Sequence, residues 1–365
     1  MKKSTRISTP GSIEVNWTAV ATIGVDLGDR LSHFVALGLD GKQVAEGRLP
    51  TTANAFEVWF GKAVGKVIAI ETGTHSPWVS RLLKRLGHQV VVANSRKLRL
   101  IYENQHKSDR IDAEYLARLV RVDPKLLGPV EHRSEAAQQH VAMFRSREAL
   151  VRTRSRLIAH VRGAVKSMGL RIPACSAEAF VTRAEPLIPS TLSAALAPLL
   201  ATMRELNKQI AAFDRRVEQL AREEYRDAQV LTQIVGVGSL TAVAFMATIG
   251  DPHRFEQSRT VGAWLGLVPG RHASGQSDPQ QRITKEGDNY LRHLLVNCAH
   301  YILGRFGPDC DLRRYGMAIA ERGGKNGKKR AVIAVARKLA VLLHRLWCTR
   351  AVYEPLRSSR ATAAA

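Results

Sequence analysis

The patterned part of the chain starts with an apolar run from Val20 to Asp26, followed by Leu27-Gly28-Asp29-Arg30 and a second apolar run from Phe34 to Leu39. The turn pair Asp40-Gly41 leads into Lys42 to Leu49, so the pattern predicts a β-hairpin extended by a third strand. Asn54 to Val64 and Trp78 to Leu86 have helical periodicity, whereas Val67 to Glu71 and Gln89 to Ala93 are short apolar runs suited to strands buried on both faces. Three meandering strands followed by alternating helices and strands predict a mixed sheet with helices on its faces. Asp109 to Arg121 reads as a further helix, stopped by Asp123-Pro124.

Beyond this α/β region, Ser134 to Met168 is a long, arginine-rich helical pattern with Leu150, Leu157, Ile158 and Val161 at helical spacing. Breaks follow at Pro173 and between Pro186 and Pro189. From Leu192 to about Glu224, Met203, Leu206, Ile210, Phe213, Val217 and Leu220 alternate intervals of three and four residues. That heptad-like spacing predicts an antiparallel coiled coil between the two long helices. From Val230 the chain becomes richer in glycine and in short helical patterns, so a second compact, mainly helical domain begins there. The expected layout is an α/β domain over 18–130, a helical segment over 131–228, a helical domain over 229–350, and disordered ends at 1–17 and 351–365. Gly323 to Arg330 is expected to be a mobile basic loop. It looks like a phosphate-binding loop, but no strand precedes it and no Ser or Thr follows the lysine.

Composition sharpens the picture. The 365 residues are 45% hydrophobic, enough for two domains and a sizeable core. Fifty-five Lys and Arg against 32 Asp and Glu give a net charge of +23, so nucleic acid is the natural partner. No apolar run follows the polar N-terminus to act as a signal core, and no stretch of about 18 apolar residues occurs, so a cytoplasmic protein is expected. The four cysteines, Cys175, Cys298, Cys310 and Cys348, lie too far apart for a zinc site and read as reduced packing residues.

The candidate chemistry lies in four acids. Asp26 sits among Ile, Val and Leu in the first strand, where a buried carboxylate calls for a metal or a cationic partner. Glu71 closes an apolar strand at its carboxyl end, where open α/β sheets place ligands. Asp109 and Asp112, three apart on a helix, project from one face. Each has a plainer explanation: a turn cap for Asp26, an arginine partner for Glu71, helix-start stabilisation for Asp109 and Asp112. Convergent carboxylates repel, and divalent cations relieve the repulsion; hard oxygen donors and phosphate substrates favour Mg²⁺, with Mn²⁺ as a substitute. Two such ions suit phosphodiester exchange.

In the second domain, Leu231 to Ala242 carries Gly236-Val237-Gly238 between two helical patterns, a helix-hairpin-helix whose glycines let backbone N–H groups approach a phosphate. A tight helical corner would read the same way. Pro269-Gly270-Arg271-His272-Ala273-Ser274-Gly275-Gln276 is a flexible loop, followed by Arg282, Lys285 and Arg292; these cations and His272 are candidate phosphate contacts. Glu286 and Asp288 add negative charge to the same stretch. Ser-Gly in a loop is ordinary punctuation, and no local Ser-His-Asp arrangement is visible.

Ile23-Gly24-Val25-Asp26, Ala69-Ile70-Glu71-Thr72-Gly73 and Lys107-Ser108-Asp109-Arg110-Ile111-Asp112-Ala113 resemble the three motifs of the DEDD transposases of bacterial insertion sequences, insertion-sequence family one-ten. The resemblance implies a RuvC-like first domain with an RNase H fold, with Asp26, Glu71, Asp109 and Asp112 as metal-binding acids. Ile234 to Trp347 is similar to the family's C-terminal transposase domain, which implies that Ser274 is the catalytic serine. It further implies a structured guide RNA and assembly of several protomers. Three rivals compete. The segment from Gly24 to Gly28 also looks like the first phosphate loop of sugar kinases and actin-like ATPases, but no second glycine-rich phosphate loop follows. The others are a non-catalytic nucleic-acid-binding protein and a RuvC-like nuclease that uses water.

Overall fold

The computed structural model describes residues 15–98, 108–271, 273–274, 277–279, 281–324 and 326–357, and the chain forms two compact units, 1–132 and 133–365. The first unit contains β1 (Val20–Asp26), β2 (Leu31–Gly38), β3 (Gln43–Pro50), α1 (Ala53–Phe60), β4 (Val67–Glu71), α2 (Ser76–Arg85), β5 (Gln89–Ala93) and α3 (Asp109–Val122). Its five-stranded sheet has the order β3-β2-β1-β4-β5. The β1-β2-β3 meander is antiparallel, and β4 and β5 continue it in parallel, which makes the mixed sheet read from the pattern.

The period-two alternation of each strand sorts its side chains between two helical layers. Ile23, Val25, Ile68 and Ile70 pack with Phe56, Phe60 and Leu83 of α1 and α2. Ala69, Val91 and Ala93 face Leu116 and Val120 of α3, and Val35 and Leu37 face its Ala113 and Ala117. Between these, Thr22 donates from Oγ1 to Ala117 O at 3.2 Å. A Cβ on Gly24 would stand 2.0 Å from Ala113 O and 2.4 Å from Ala117 N, so α3 lies against bare backbone. Trp17 lies in the described part of the N-terminal segment expected to be disordered, its ring 4.5 Å from that of Trp59.

The second unit contains α4 (Glu135–Ser167), α5 (Phe180–Ala184), α6 (Ser190–Glu223), α7 (Ala228–Leu231), α8 (Ser239–Ile249), α9 (Arg259–Trp264), α10 (Asn289–Leu303), α11 (Asp311–Glu321) and α12 (Gly327–Thr349). Helices α4 and α6 run antiparallel: Arg147 Nε donates to Asp214 Oδ1 at 2.6 Å and Arg154 Nη1 to Asn207 Oδ1 at 2.7 Å. Met203, Ile210 and Val217 are buried one heptad apart along α6. Val141, Phe144, Val217 and Leu220 share one buried cluster with Phe245, Leu295 and Leu343, so one end of the pair is built into the C-terminal core, whereas Val161, Val165, Leu196, Leu200 and Met203 at the other end form a cluster of their own with Phe180 of α5. α8 is buried on every side from Thr241 to Ile249, which explains its almost wholly apolar composition.

Two expectations are corrected here. Gly327 to Arg330 begins α12 instead of belonging to a mobile loop, because Ala331, Val335 and Leu339 carry helical periodicity that docks on the core. The tail continues to pack past residue 351, where Tyr353 lies against the core and Asp311 N donates to Pro355 O at 2.7 Å. No helix among the described residues is long and apolar enough to cross a membrane.

Asp288 is the charged pivot of this unit. Its side chain is 4% exposed, accepts from Arg133 Nη2 at 2.8 Å and Arg145 Nη2 at 3.0 Å, and caps α10 at Leu291 N. Burial alone would raise its pKa, but the Leu291 N–H and the two guanidiniums prevail and hold the carboxyl below its ordinary range. A depressed folded value means that the stabilisation is complete above the unfolded pKa of about 4 and fades as pH falls through the folded value. Asp288→Asn is therefore expected to cost roughly 3 kcal/mol at pH 7 in urea unfolding, with the gap to wild type narrowing in acid.

Candidate active site

The geometry of β1, β4 and α3 decides where the acids go. Val25 of β1 pairs in parallel register with Ile70 of β4, so Asp26 and Glu71, one residue further on, end adjacent strands at the same sheet edge. Alternation puts Asp26 on the face of Thr22 and Gly24, and Glu71 on the face of Ala69. Both are thus on the α3 side. Because Gly24 lies under Ala113 and Ala117, the strand advancing to Asp26 reaches the first turn of α3, which carries Asp109 and Asp112. Ser108 starts that turn by accepting from Ile111 N at 3.3 Å. Carboxylates in a first helical turn are also stabilised by the helix dipole.

The four acids differ in setting. Asp112 is buried at 6% exposure, whereas the Asp109 side chain is 68% exposed. His33, the cross-strand neighbour of Asp26, places Nδ1 3.4 Å from Asp109 Oδ2. Burial, aided by the cross-strand cation of Arg48, lowers the His33 pKa against the opposing pull of Asp109 and Glu46, which favours the neutral ring at pH 7. Among the described residues, no three His, Cys, Asp or Glu side chains are gathered closely enough to enclose a metal ion. The backbone brings four hard oxygen donors to one edge, a donor set that fits a divalent cation. His33 was missed by sequence reasoning. The only available signal was strand alternation, which placed it opposite Asp26 once the hairpin register was known.

The second unit holds the other candidates. Thr284 N donates to Val268 O and Gly270 N to Arg282 O, Pro269 and Ile283 form an antiparallel bridge, and Ser274 and Ser277 exchange N–H···O bonds of 3.0 Å. Ser274 is exposed. His272 lies outside the described residues. Arg271 is exposed and reaches Asp278 at 3.4 Å; Arg282 and Lys285 are exposed as well. Arg292, expected at the nucleic-acid surface, is instead buried, donating to Leu265 O, Glu286 O and Asn289 Oδ1. An internal cation with carbonyl acceptors braces the turn from Leu265 to Asn289. Gly236 adopts φ +98° between α7 and α8, and Gly238 lies exposed at the start of α8 with open space where a Cβ would be.

A DEDD-type α/β domain followed by a helical domain is the two-part layout of an insertion-sequence transposase. A transposase model of the IS110 DEDD type matches residues 23–169, and one described as "Transposase IS116/IS110/IS902 family" matches residues 228–315. The chain belongs to this IS110/IS116 transposase family and is a DNA transposase or recombinase. It is 27% identical over 343 residues to a "Probable family 20 transposase" of Pseudomonas aeruginosa, covering 92% of this chain and 99% of that protein. Over 344 residues it is 27% identical to the transposase for insertion sequence element IS1111A of Coxiella burnetii, covering 92% and 91%. A pilin gene-inverting protein of Moraxella bovis is 28% identical over 144 residues, 38% of this chain and 44% of that protein.

Gly24→Val would press a side chain into the α3 backbone that positions two of the acids. It is expected to cost at least about 3 kcal/mol and to abolish DNA strand cleavage even when the variant is assayed well below its melting temperature. A variant of wild-type stability and activity would show that α3 does not depend on this contact.

Proposed function

We propose that the protein cuts and rejoins DNA as the transposase of a mobile insertion sequence, with Asp26, Glu71, Asp109 and Asp112 holding divalent metal and Ser274 supplying the nucleophile. The observation that carries the reading is the shared edge: two carboxylates ending adjacent parallel strands beneath the first turn of a helix that bears two more. Drawing four like charges tight costs Coulomb energy unless a cation is bound, so Asp26, Glu71, Asp109 and Asp112 would hold a divalent ion only at the expense of that repulsion, which the ion itself would offset. Mg²⁺ is the natural occupant and Mn²⁺ its substitute; when bound it polarises the scissile phosphate and neutralises charge on the departing oxygen.

The residues of this chain then divide the work. Ser274 Oγ forms a bond to phosphorus as the phosphodiester bond breaks, and the proton lost by the hydroxyl is balanced by the one taken up at the departing strand end. One phosphoester replaces another, so attack on the serine link by a different strand's hydroxyl rejoins DNA without an external energy source. A serine hydroxyl needs a base or a metal to activate it, and a divalent ion held by the four acids would supply that activation. Arg271, His272, Arg282 and Lys285 contact phosphates, as do backbone N–H groups at Gly236 and Gly238 in a helix-hairpin-helix. The α4 and α6 pair serves as a coiled-coil spacer, a structured guide RNA selects the target, and protomers assemble as a homo-oligomer in the cytoplasm.

Asp112→Asn is expected to reduce strand cleavage at least about a thousandfold while changing DNA affinity by no more than about threefold, measured on labelled DNA with Mg²⁺. Undiminished cutting would overturn the assignment of the acid. Ser274→Ala should abolish the covalent protein-DNA adduct trapped on a nicked substrate. If cutting persisted without an adduct, water would be the nucleophile.

A further inference from the structure

The buried side of α12 carries Ala331, Val335, Leu339, Leu343 and Leu346 into the core. Its other side has an unusual composition. Every exposed position from Lys328 to Trp347 is a cation: Lys328, Lys329, Arg330, Arg337, Lys338 and Arg345. Half-buried Ile333, Ala334, Val341 and Leu342 lie between them, and the helix contains no Asp or Glu from Gly327 to Thr349.

A helix face selected only for solvation gains from mixing signs, since Glu and Lys at i,i+4 stabilise a helix and like charges do the reverse. Lys328, Lys329 and Arg330 also occupy the first turn, where the helix dipole is positive and disfavours cations. The chain tolerates a local cost with no internal compensation, because among the described residues none of the six pairs with a carboxylate within 4.0 Å. Lys338 Nζ lies 3.7 Å from the ring centroid of Tyr315, and Arg330 Nη2 donates to the Gly323 carbonyl at 3.4 Å. A local rule broken this way points to an external anion.

The face borders a cavity of about 2130 Å³, well above the range of small-molecule sites, with Arg259, Arg282 and Lys285 also in its lining and, among the described residues, Asp311 and Glu354 its only acids. At 1.5 Å per residue, Arg330, Arg337 and Arg345 recur about every 11 Å and span roughly 22 Å, or six to seven base-pair rises. We infer that the solvent face of α12, with Arg282 and Lys285 beside it, is a docking surface for the phosphate backbone of duplex DNA. The choice of DNA rests on the proposed recombinase function. Contacts of this type fix position and affinity without reading sequence.

The test uses the full chain and a labelled duplex of about 30 base pairs, with binding followed against salt concentration. In the variant Arg337→Gln/Lys338→Gln/Arg345→Gln, the slope of log affinity against log salt should fall by about three, and affinity should weaken at least about tenfold on unrelated sequences alike. The charge-preserving Arg337→Lys/Arg345→Lys should keep most of both, and neither should lower the melting temperature by more than a few degrees, because Gln and Lys are good helix formers and, among the described residues, the triple variant loses only the contact of Lys338 with the Tyr315 ring. An unchanged slope, an equal loss in the lysine variant, or a loss confined to an RNA hairpin of the same length would overturn the proposal. Asp112→Asn keeps the whole cationic face, so its cutting defect tests the acid site alone and the two readings can fail separately.

Discussion

The near-contact of α3 with β1 across Gly24 is the constraint on which the first unit depends. A strand with any side chain at this position would hold the helix off by the thickness of a methyl group or more, and the Thr22 hydroxyl would lose its reach to Ala117 O. The helix lies so close that its first turn is carried to the edge where β1 and β4 end. Position along the strand is thereby converted into position along the helix. The ends of β1 and β4 and the start of α3 come to one side of the sheet because two backbones touch.

Asp26 and Glu71 end adjacent strands at one sheet edge, Asp112 is buried, and the His33 ring, cross-strand neighbour of Asp26, lies 3.4 Å from Asp109. In the second unit the buried charges are structural: Asp288 ties Arg133 and Arg145 to the start of α10, and Arg292 is consumed by backbone carbonyls. The exposed cations on α12 have no such obligation. Buried charges must be satisfied within the fold, whereas exposed ones of a single sign remain available to a polyanion.

Much of this was legible in one dimension. The strands Val20–Asp26, Val67–Glu71 and Gln89–Ala93 occupy the bounds read from hydrophobic runs, since a strand buried on both faces leaves no ambiguity of period. Asp26 and Glu71 stood out because a carboxylate at the end of an apolar run is costly without a reason. The heptad spacing of Met203, Ile210 and Val217 likewise predicted the buried stripe of α6. Arg292 was misjudged for the opposite reason. An arginine in a basic stretch looks like its neighbours, and only the fold shows that three acceptors surround it.

By itself, then, the chain's pattern determined the kinds of element and their order, and singled out Asp26 and Glu71 as carboxylates at the ends of apolar runs, because periodicity and local charge are properties of neighbours in sequence. The tertiary structure decided that Asp26 and Glu71 share a face and that His33 stands beside them. It also determined that Arg292 is internal and that the cations of α12 form one exposed surface. Those facts depend on strand register, on the approach of helix to sheet and on what covers each side chain, and these are settled only when segments distant in sequence pack together.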